Sequence, residues 1–114
     1  MNDKTLQITA RCPIRTTLEM LGGKWKLLII NQLADGPHRL SVLRGRIPDI
    51  SEKMLIQELK VLADNGLVVR KNFGEVPPRV EYRLTEKGKL ALPLIASMAQ
   101  FALQYEADNM SETD

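Results

Sequence analysis

The chain has 114 residues, 44% hydrophobic and 26% charged, enough for one domain with a buried core and too apolar for a disordered segment. No apolar run approaches the roughly 20 residues that span a bilayer, Met1-Asn2-Asp3-Lys4 opens no hydrophobic signal segment, and the single cysteine excludes an intrachain disulfide, so the expectation is a cytoplasmic protein with no membrane partner. The net charge of +2 hides an asymmetry, with five Lys/Arg against three Asp/Glu in residues 1–38, nine against six in 39–83, and two against five in 84–114.

Residues 1–12 lack periodicity and are expected to form an extended N-terminal arm. Two N-terminal helices are predicted within 13–38. Pro13 suits the first turn of the first, which runs through Met20 until Gly22-Gly23 breaks it. The second extends from about Lys24 to Ala34, with Trp25, Leu28, Ile29 and Leu33 along one face, and Asp35-Gly36-Pro37 stops it. A short helix near Leu40 to Arg46 carries Leu40, Leu43 and Ile47 inward, and Pro48-Asp49 supplies a tight turn. Ser51 then caps an amphipathic helix with Leu55, Leu59 and Leu62 at helical spacing, which Asn65-Gly66 ends at Asp64. Leu67-Val68-Val69 opens a strand, Gly74 and Pro77-Pro78 mark a loop, and Val80, Tyr82 and Leu84 alternate as a second strand.

Thr85 caps the last long helix, predicted to about Tyr105 within a C-terminal segment 85–107, with a kink at Pro93. Its apolar residues, from Leu90 to Leu103, do not keep to one stripe. A domain this small has too little else to cover them, so a homodimer through this helix, helped by the N-terminal one, is the expectation.

A helix followed at once by a basic two-stranded ribbon is the layout of a winged helix-turn-helix. The expected fold is therefore mainly α with a small β-wing (α+β), a single domain over 1–114 whose helix-turn-helix and wing occupy 39–84 between N- and C-terminal dimerisation helices. A basic middle and an acidic tail suit a chain that turns its middle toward the phosphates of double-stranded DNA. On a helical wheel, Lys53, Gln57, Lys60 and Asp64 lie opposite the leucines, with Met54, a further candidate DNA contact, and Val61 at one shoulder and Ile56 at the other. Lysine can reach phosphate or guanine, glutamine can pair with adenine, and Ser51 can serve a phosphate at the helix N-terminus. Arg79 follows the stiff Pro77-Pro78 at the ribbon tip, in a ribbon that also carries Arg70, Lys71 and Arg83, while one of the nearby Glu75 and Glu81 can hold an arginine in place instead of letting it meet DNA. Arg39 and Lys24 are further phosphate candidates. The alternative is a winged-helix protein-interaction module that never touches DNA, which Glu52 and Glu58 on the same helix keep open.

Cys12-Pro13, Gly22-Gly23-Lys24-Trp25, Ile50-Ser51 with Leu55, Leu59 and Leu62, Asn65-Gly66-Leu67-Val68, and the run from Val76-Pro77-Pro78-Arg79-Val80-Glu81-Tyr82 to Gly88 together resemble the HxlR family of bacterial transcription regulators. That family is related in architecture to the MarR regulators, and the resemblance covers about residues 11–103. It implies a winged-helix homodimer whose second helix-turn-helix element reads the major groove while the wing touches flanking backbone or minor groove. The chain departs at Leu40, Glu58 and Phe101-Ala102, where the family commonly has Phe, a basic residue and Trp-Gly.

Cys12 precedes Pro13 at an expected helix N-terminus, with Arg11 and Arg15 adjacent, a setting that favours thiolate over thiol. The resemblance implies a redox or electrophile sensor there; the structural alternative is a small, half-buried residue. His38, the only histidine, is expected in a surface loop. There is no metal-ligand spacing, phosphate loop, nucleophile elbow or acid/base couple, so neither cofactor nor enzymatic activity is expected. A small-molecule effector is left unspecified.

Overall fold

A computed structural model describes residues 11–112, with side chains placed through Asn109. Of the expected arm over 1–12, only Arg11 and Cys12 fall among them. Helix α1, Pro13–Leu21, begins at the proline, whose missing N–H is no loss in a first turn, and ends where Gly22 N donates to Leu18 O at 2.7 Å. Helix α2 spans Lys26–Gln32, shorter than the predicted Lys24–Ala34, because Gly23 takes a positive φ of 99° and Trp25 serves as the N-cap. Its buried face is Ile29, Ile30 and Leu33, spaced by three and four. Leu28, expected inside, lies off that face and is 47% exposed.

Helix α3, Leu40–Arg46, buries Leu43, while Ile47 beyond its end is buried and Leu40 packs against the core. Asp49, at φ 70°, turns the chain into helix α4, Glu52–Asp64. Ser51 Oγ accepts the Met54 N–H at 3.1 Å. The far end closes as a Schellman motif: Leu67 N donates to Leu62 O at 2.9 Å and Gly66 N to Ala63 O at 3.0 Å. Gly66, at φ 75°, makes that reversal without a Cβ penalty. Leu62 and Leu67 are both buried, so the turn that ends α4 also aims the next strand over the core.

Strands β1, Val68–Asn72, and β2, Val80–Leu84, pair antiparallel with Val68 opposite Leu84 and Lys71 opposite Glu81. Val68, Tyr82 and Leu84 fill the inner side. His38 adds a bridge on the other edge of β2, exchanging two backbone bonds of 2.9 Å with Tyr82. His38 is thus strand-like and only partly exposed, a correction to the surface-loop expectation.

The expected single C-terminal helix is interrupted. Helix α5, Glu86–Lys89, is capped by Thr85, whose Oγ1 accepts Gly88 N at 2.9 Å and donates to Gly66 O at 2.6 Å. Helix α6, Ala91–Glu112, follows after Leu90. The interruption sits ahead of the expected kink at Pro93 because that ring crowds the Lys89 carbonyl one turn earlier and offers it no N–H. Ala91, Leu92 and Ile95 pack on the core, and every side chain from Ala96 to Asn109 is exposed. Leu94, Met98, Phe101 and Tyr105 recur at steps of four, three and four and form one stripe, while Leu103, 67% exposed, lies off it.

Candidate nucleic-acid interface

Helix α4 is sharply two-sided. Leu55, Leu59 and Leu62 are 1% exposed or less, which fixes the rotation of the helix and turns Lys53, Gln57 and Lys60 to solvent. These three lie almost in line, since seven residues turn a helix close to a whole number of times and rise about 10 Å. Lys60 keeps a loose contact of 3.8 Å with Asp64 between exposed groups, the kind a phosphate displaces readily. Met54 is half-buried against the core and its N–H serves the cap, so of the expected contacts its role is the most structural. Ser51 is exposed, its oxygen accepting from Met54 while its hydroxyl proton remains able to donate. Ile56 is also exposed beside Gln57.

Two of the three acids of α4, Glu52 and Glu58, are turned to partners on other helices. Glu52 lies 3.6 Å from Arg44 of α3, and Glu58 Oε1 lies 2.8 Å from Lys26 Nζ of α2. That Glu58 oxygen is buried without a well-aligned hydrogen bond, so its charge is answered by the proximity of the ammonium. The two residues that kept a non-DNA reading open therefore do not break up the basic stripe.

The wing follows α4 directly and packs on it through β1. Alternation along the strands sends Lys71, Glu81 and Arg83 to the side opposite the buried Tyr82 and Leu84. Arg79 is partly enclosed: its Nε donates to Glu81 Oε2 at 3.2 Å, its Nη1 lies 3.5 Å from Glu75 Oε2, and its guanidinium carbon sits 3.8 Å from the Phe73 ring centre. Both neighbouring acids hold it. Phe73, which sequence reasoning passed over, is the platform, and Lys71 Nζ also lies over its ring at 4.7 Å. Cross-strand pairing was the missing signal, since Phe73 N donates to Arg79 O at 2.9 Å.

The remaining expected residues are spread over the scaffold. Arg39 is exposed at the N-cap of α3, and its carbonyl receives the Leu43 N–H at 3.1 Å. Lys24 is exposed and lies 4.7 Å over Trp25, ahead of α2. Cys12 is the N-cap of α1 and only 2% exposed, more buried than a freely reacting thiol. His38 Nε2 is 2.7 Å from Asp35 Oδ1 and 3.1 Å from Arg46, and the shorter contact assigns its proton toward the carboxylate. That hydrogen bond, with the charges of His38 and Arg46, holds the Asp35 carboxyl below its ordinary value of 3.8. An apolar cleft of about 280 Å³ opens between α1, α5 and α6, lined by Met20, Leu21, Leu90 and Leu94 with Lys87 at its edge. Among the described residues, no group of three or more His, Cys, Asp or Glu is placed to hold a metal ion. No described helix is long and apolar enough to cross a membrane.

The model of the HxlR-like helix-turn-helix family matches residues 20–110. The chain is 43% identical over 101 residues to the uncharacterized HTH-type transcriptional regulator YkvN of Bacillus subtilis (strain 168), covering 89% of this chain and 86% of that one. A solved structure assigned to the MarR family of transcriptional regulators, from Porphyromonas gingivalis W83, aligns with a TM-score of 0.82 and 46% identity over 85% of this chain and 95% of its own. The redox regulator HypR in its oxidized form aligns with a TM-score of 0.77 and 36% identity over 82% of this chain and 96% of its own.

Proposed function

The chain belongs to the HxlR-like helix-turn-helix family of transcriptional regulators, and from that premise we propose that it binds an inverted-repeat operator as a homodimer in the cytoplasm. Each α4 enters a major groove, and each wing braces the flanking backbone. The observation that carries this reading is the exposed line of Lys53, Gln57 and Lys60 on a helix locked by three fully buried leucines. A groove-reading element needs that rigidity together with unobstructed donors. The basic ribbon beside it supplies sequence-independent phosphate contacts.

Homodimer formation is supported by the uncovered stripe of Leu94, Met98, Phe101 and Tyr105 on α6, joined near Leu94 by the exposed Ile14 and Leu18 of α1. Four apolar residues at coiled-coil spacing on a protruding helix find cover most simply against a second copy. A mobility shift on the intergenic DNA beside its own gene, with light scattering at micromolar concentration, tests the whole reading. A retarded complex of two chains per duplex is expected; a monomer, or no shift on any duplex at low salt, overturns it.

The second part of the proposal is thiol regulation through Cys12. HypR, a redox regulator, is 36% identical to this chain. Cys12 caps α1, whose exposed Ile14 and Leu18 adjoin the proposed dimer surface, so a bulkier or cross-linked sulfur there moves that surface. The chain's one cysteine makes any disulfide intermolecular, either Cys12 to Cys12 of the second copy or to a small thiol, with diamide as the two-electron acceptor in a test. Diamide is expected to change the DNA affinity of the wild type and not of Cys12→Ser; equal responses overturn the sensor.

A further inference from the structure

Phe73 and Arg79 face each other across the ribbon, one step beyond the last ladder pair of Asn72 and Val80. Residues two apart on a strand share a side, so Lys71, Phe73, Arg79 and Glu81 project together. This gives Arg79 three neighbours that are not equivalent. The Phe73 ring supports the flat guanidinium at 3.8 Å. Glu81 Oε2 accepts the Nε hydrogen at 3.2 Å, and its side chain is 25% exposed within β2. Glu75 reaches only Nη1, at 3.5 Å, from a loop position where it is 51% exposed.

Nε lies on the stem side of the guanidinium. A carboxylate bound there fixes the direction of the fork and leaves the terminal nitrogens free to bind elsewhere. Glu75 instead sits 3.5 Å from a terminal nitrogen, an ion pair without a hydrogen bond, at a place where a phosphate oxygen can make a charge-assisted one. Stacking on Phe73 and bonding to Glu81 leave the terminal nitrogens open to an arriving phosphate; the Glu75 carboxylate beside Nη1 repels it. Resting on the reading of the wing as a phosphate-binding element, we propose that the two wing glutamates act on DNA binding in opposite senses. Glu81 positions Arg79 for the phosphate, and Glu75 is a tethered anion that competes with the phosphate at the terminal nitrogens. The wing thereby has a built-in brake on binding to any duplex.

Because phosphate contacts act on every sequence, a mixed-sequence duplex of about 30 base pairs at low salt is a sufficient probe for the full-length chain. Glu75→Ala and Glu81→Ala remove the same charge, so field effects alone tighten both equally. With Arg79 present, Glu75→Ala is expected to tighten binding about threefold and Glu81→Ala to weaken it about threefold. In an Arg79→Ala background, both changes are expected to give one and the same slight tightening, from the lost negative charge alone. Arg79→Ala by itself is expected to lower the salt slope by about one. Thermal unfolding without DNA checks each variant, and Glu81→Thr, suited to a strand, replaces Glu81→Ala if that chain fails to fold. If both glutamate changes tighten binding while Arg79→Ala weakens it, the opposed roles are overturned and the wing reading stands. If Arg79→Ala changes neither affinity nor slope, the wing reading and the proposal fall together.

Discussion

Lys26 Nζ lies 2.8 Å from Glu58 Oε1, with both side chains only 16% exposed, and this pair ties α2 to the candidate reading helix. It gives a physical reason for an acid at position 58, where the resembled family commonly has a basic residue: the position faces a neighbouring helix, not DNA. Glu58→Ala strands the Lys26 ammonium in a mostly desolvated site and is expected to destabilise the fold by about 1–3 kcal/mol, below the range for fully buried pairs because some water reaches it. Replacing both by apolar residues, Lys26→Met with Glu58→Leu, is expected to cost less than either single change to Ala. Urea unfolding measures all three, and a double variant as unstable as the sum of the singles contradicts the coupling.

Gly88 stands where α5 presses on the turn leaving α4. A Cβ at Gly88 would overlap the Leu67 carbonyl oxygen, a backbone atom already engaged by Thr85 N at 3.1 Å. Neither side can retreat without opening the Thr85 cap. Gly88→Ala is therefore expected to destabilise by about 1–3 kcal/mol despite the better helix propensity of alanine, and to lower the thermal midpoint. An unchanged or raised midpoint means that α5 is free to shift.

Asp35 has a testable acid signature. The hydrogen bond from His38 comes first among the causes that depress its carboxyl below 3.8, followed by the charges of His38 and Arg46. A depressed carboxylate contributes stability that is fully present above the unfolded value and is lost as pH falls through the folded one. Asp35→Asn is accordingly expected to be slightly less stable than the wild type above the ordinary carboxylate range, with the difference shrinking as pH falls below it. The group is exposed, so the effect is small, and urea midpoints above and below that range are the measurement. A difference that grows toward low pH contradicts the assignment.

Local chemistry made most of the fold legible. Ser51, Asn65-Gly66 and Thr85 bind their own backbone within a few residues, so the bounds of α4 and the start of α5 could be read from the chain. Short helices were harder. With two turns in α2, a choice between Leu28 and Ile30 for the core depends on where the first turn starts, which Gly23 and Trp25 decide. The stripe on α6 was masked because Ala91, Leu92 and Ile95 are apolar for a different reason, packing on the core. At the site, the rotation of α4 was readable from three leucines. The partners of Glu58 and the Phe73 platform under Arg79 were not, since both arise between segments that only folding brings together.

Division of labour between α4 and the wing is the remaining expectation about DNA. Lys53, Gln57 and Lys60 form a line about 10 Å long, matching roughly three base-pair steps, so each copy is expected to read a short half-site. Among the described residues no carboxylate lies within ion-pair distance of Lys53, and Gln57 is equally open, which leaves both free to bond base edges. Gln57→Ala and Lys53→Ala are expected to cost about 1–3 kcal/mol against the preferred base pair and little against others, flattening discrimination at one position each. Arg79→Ala touches only backbone on this reading, so it weakens every duplex alike. Anisotropy titrations over a set of single base-pair changes in a footprinted operator separate the two behaviours. Uniform losses from all three substitutions contradict base reading by α4, because a helix that merely rests on phosphates has no position at which one base is worth more than another.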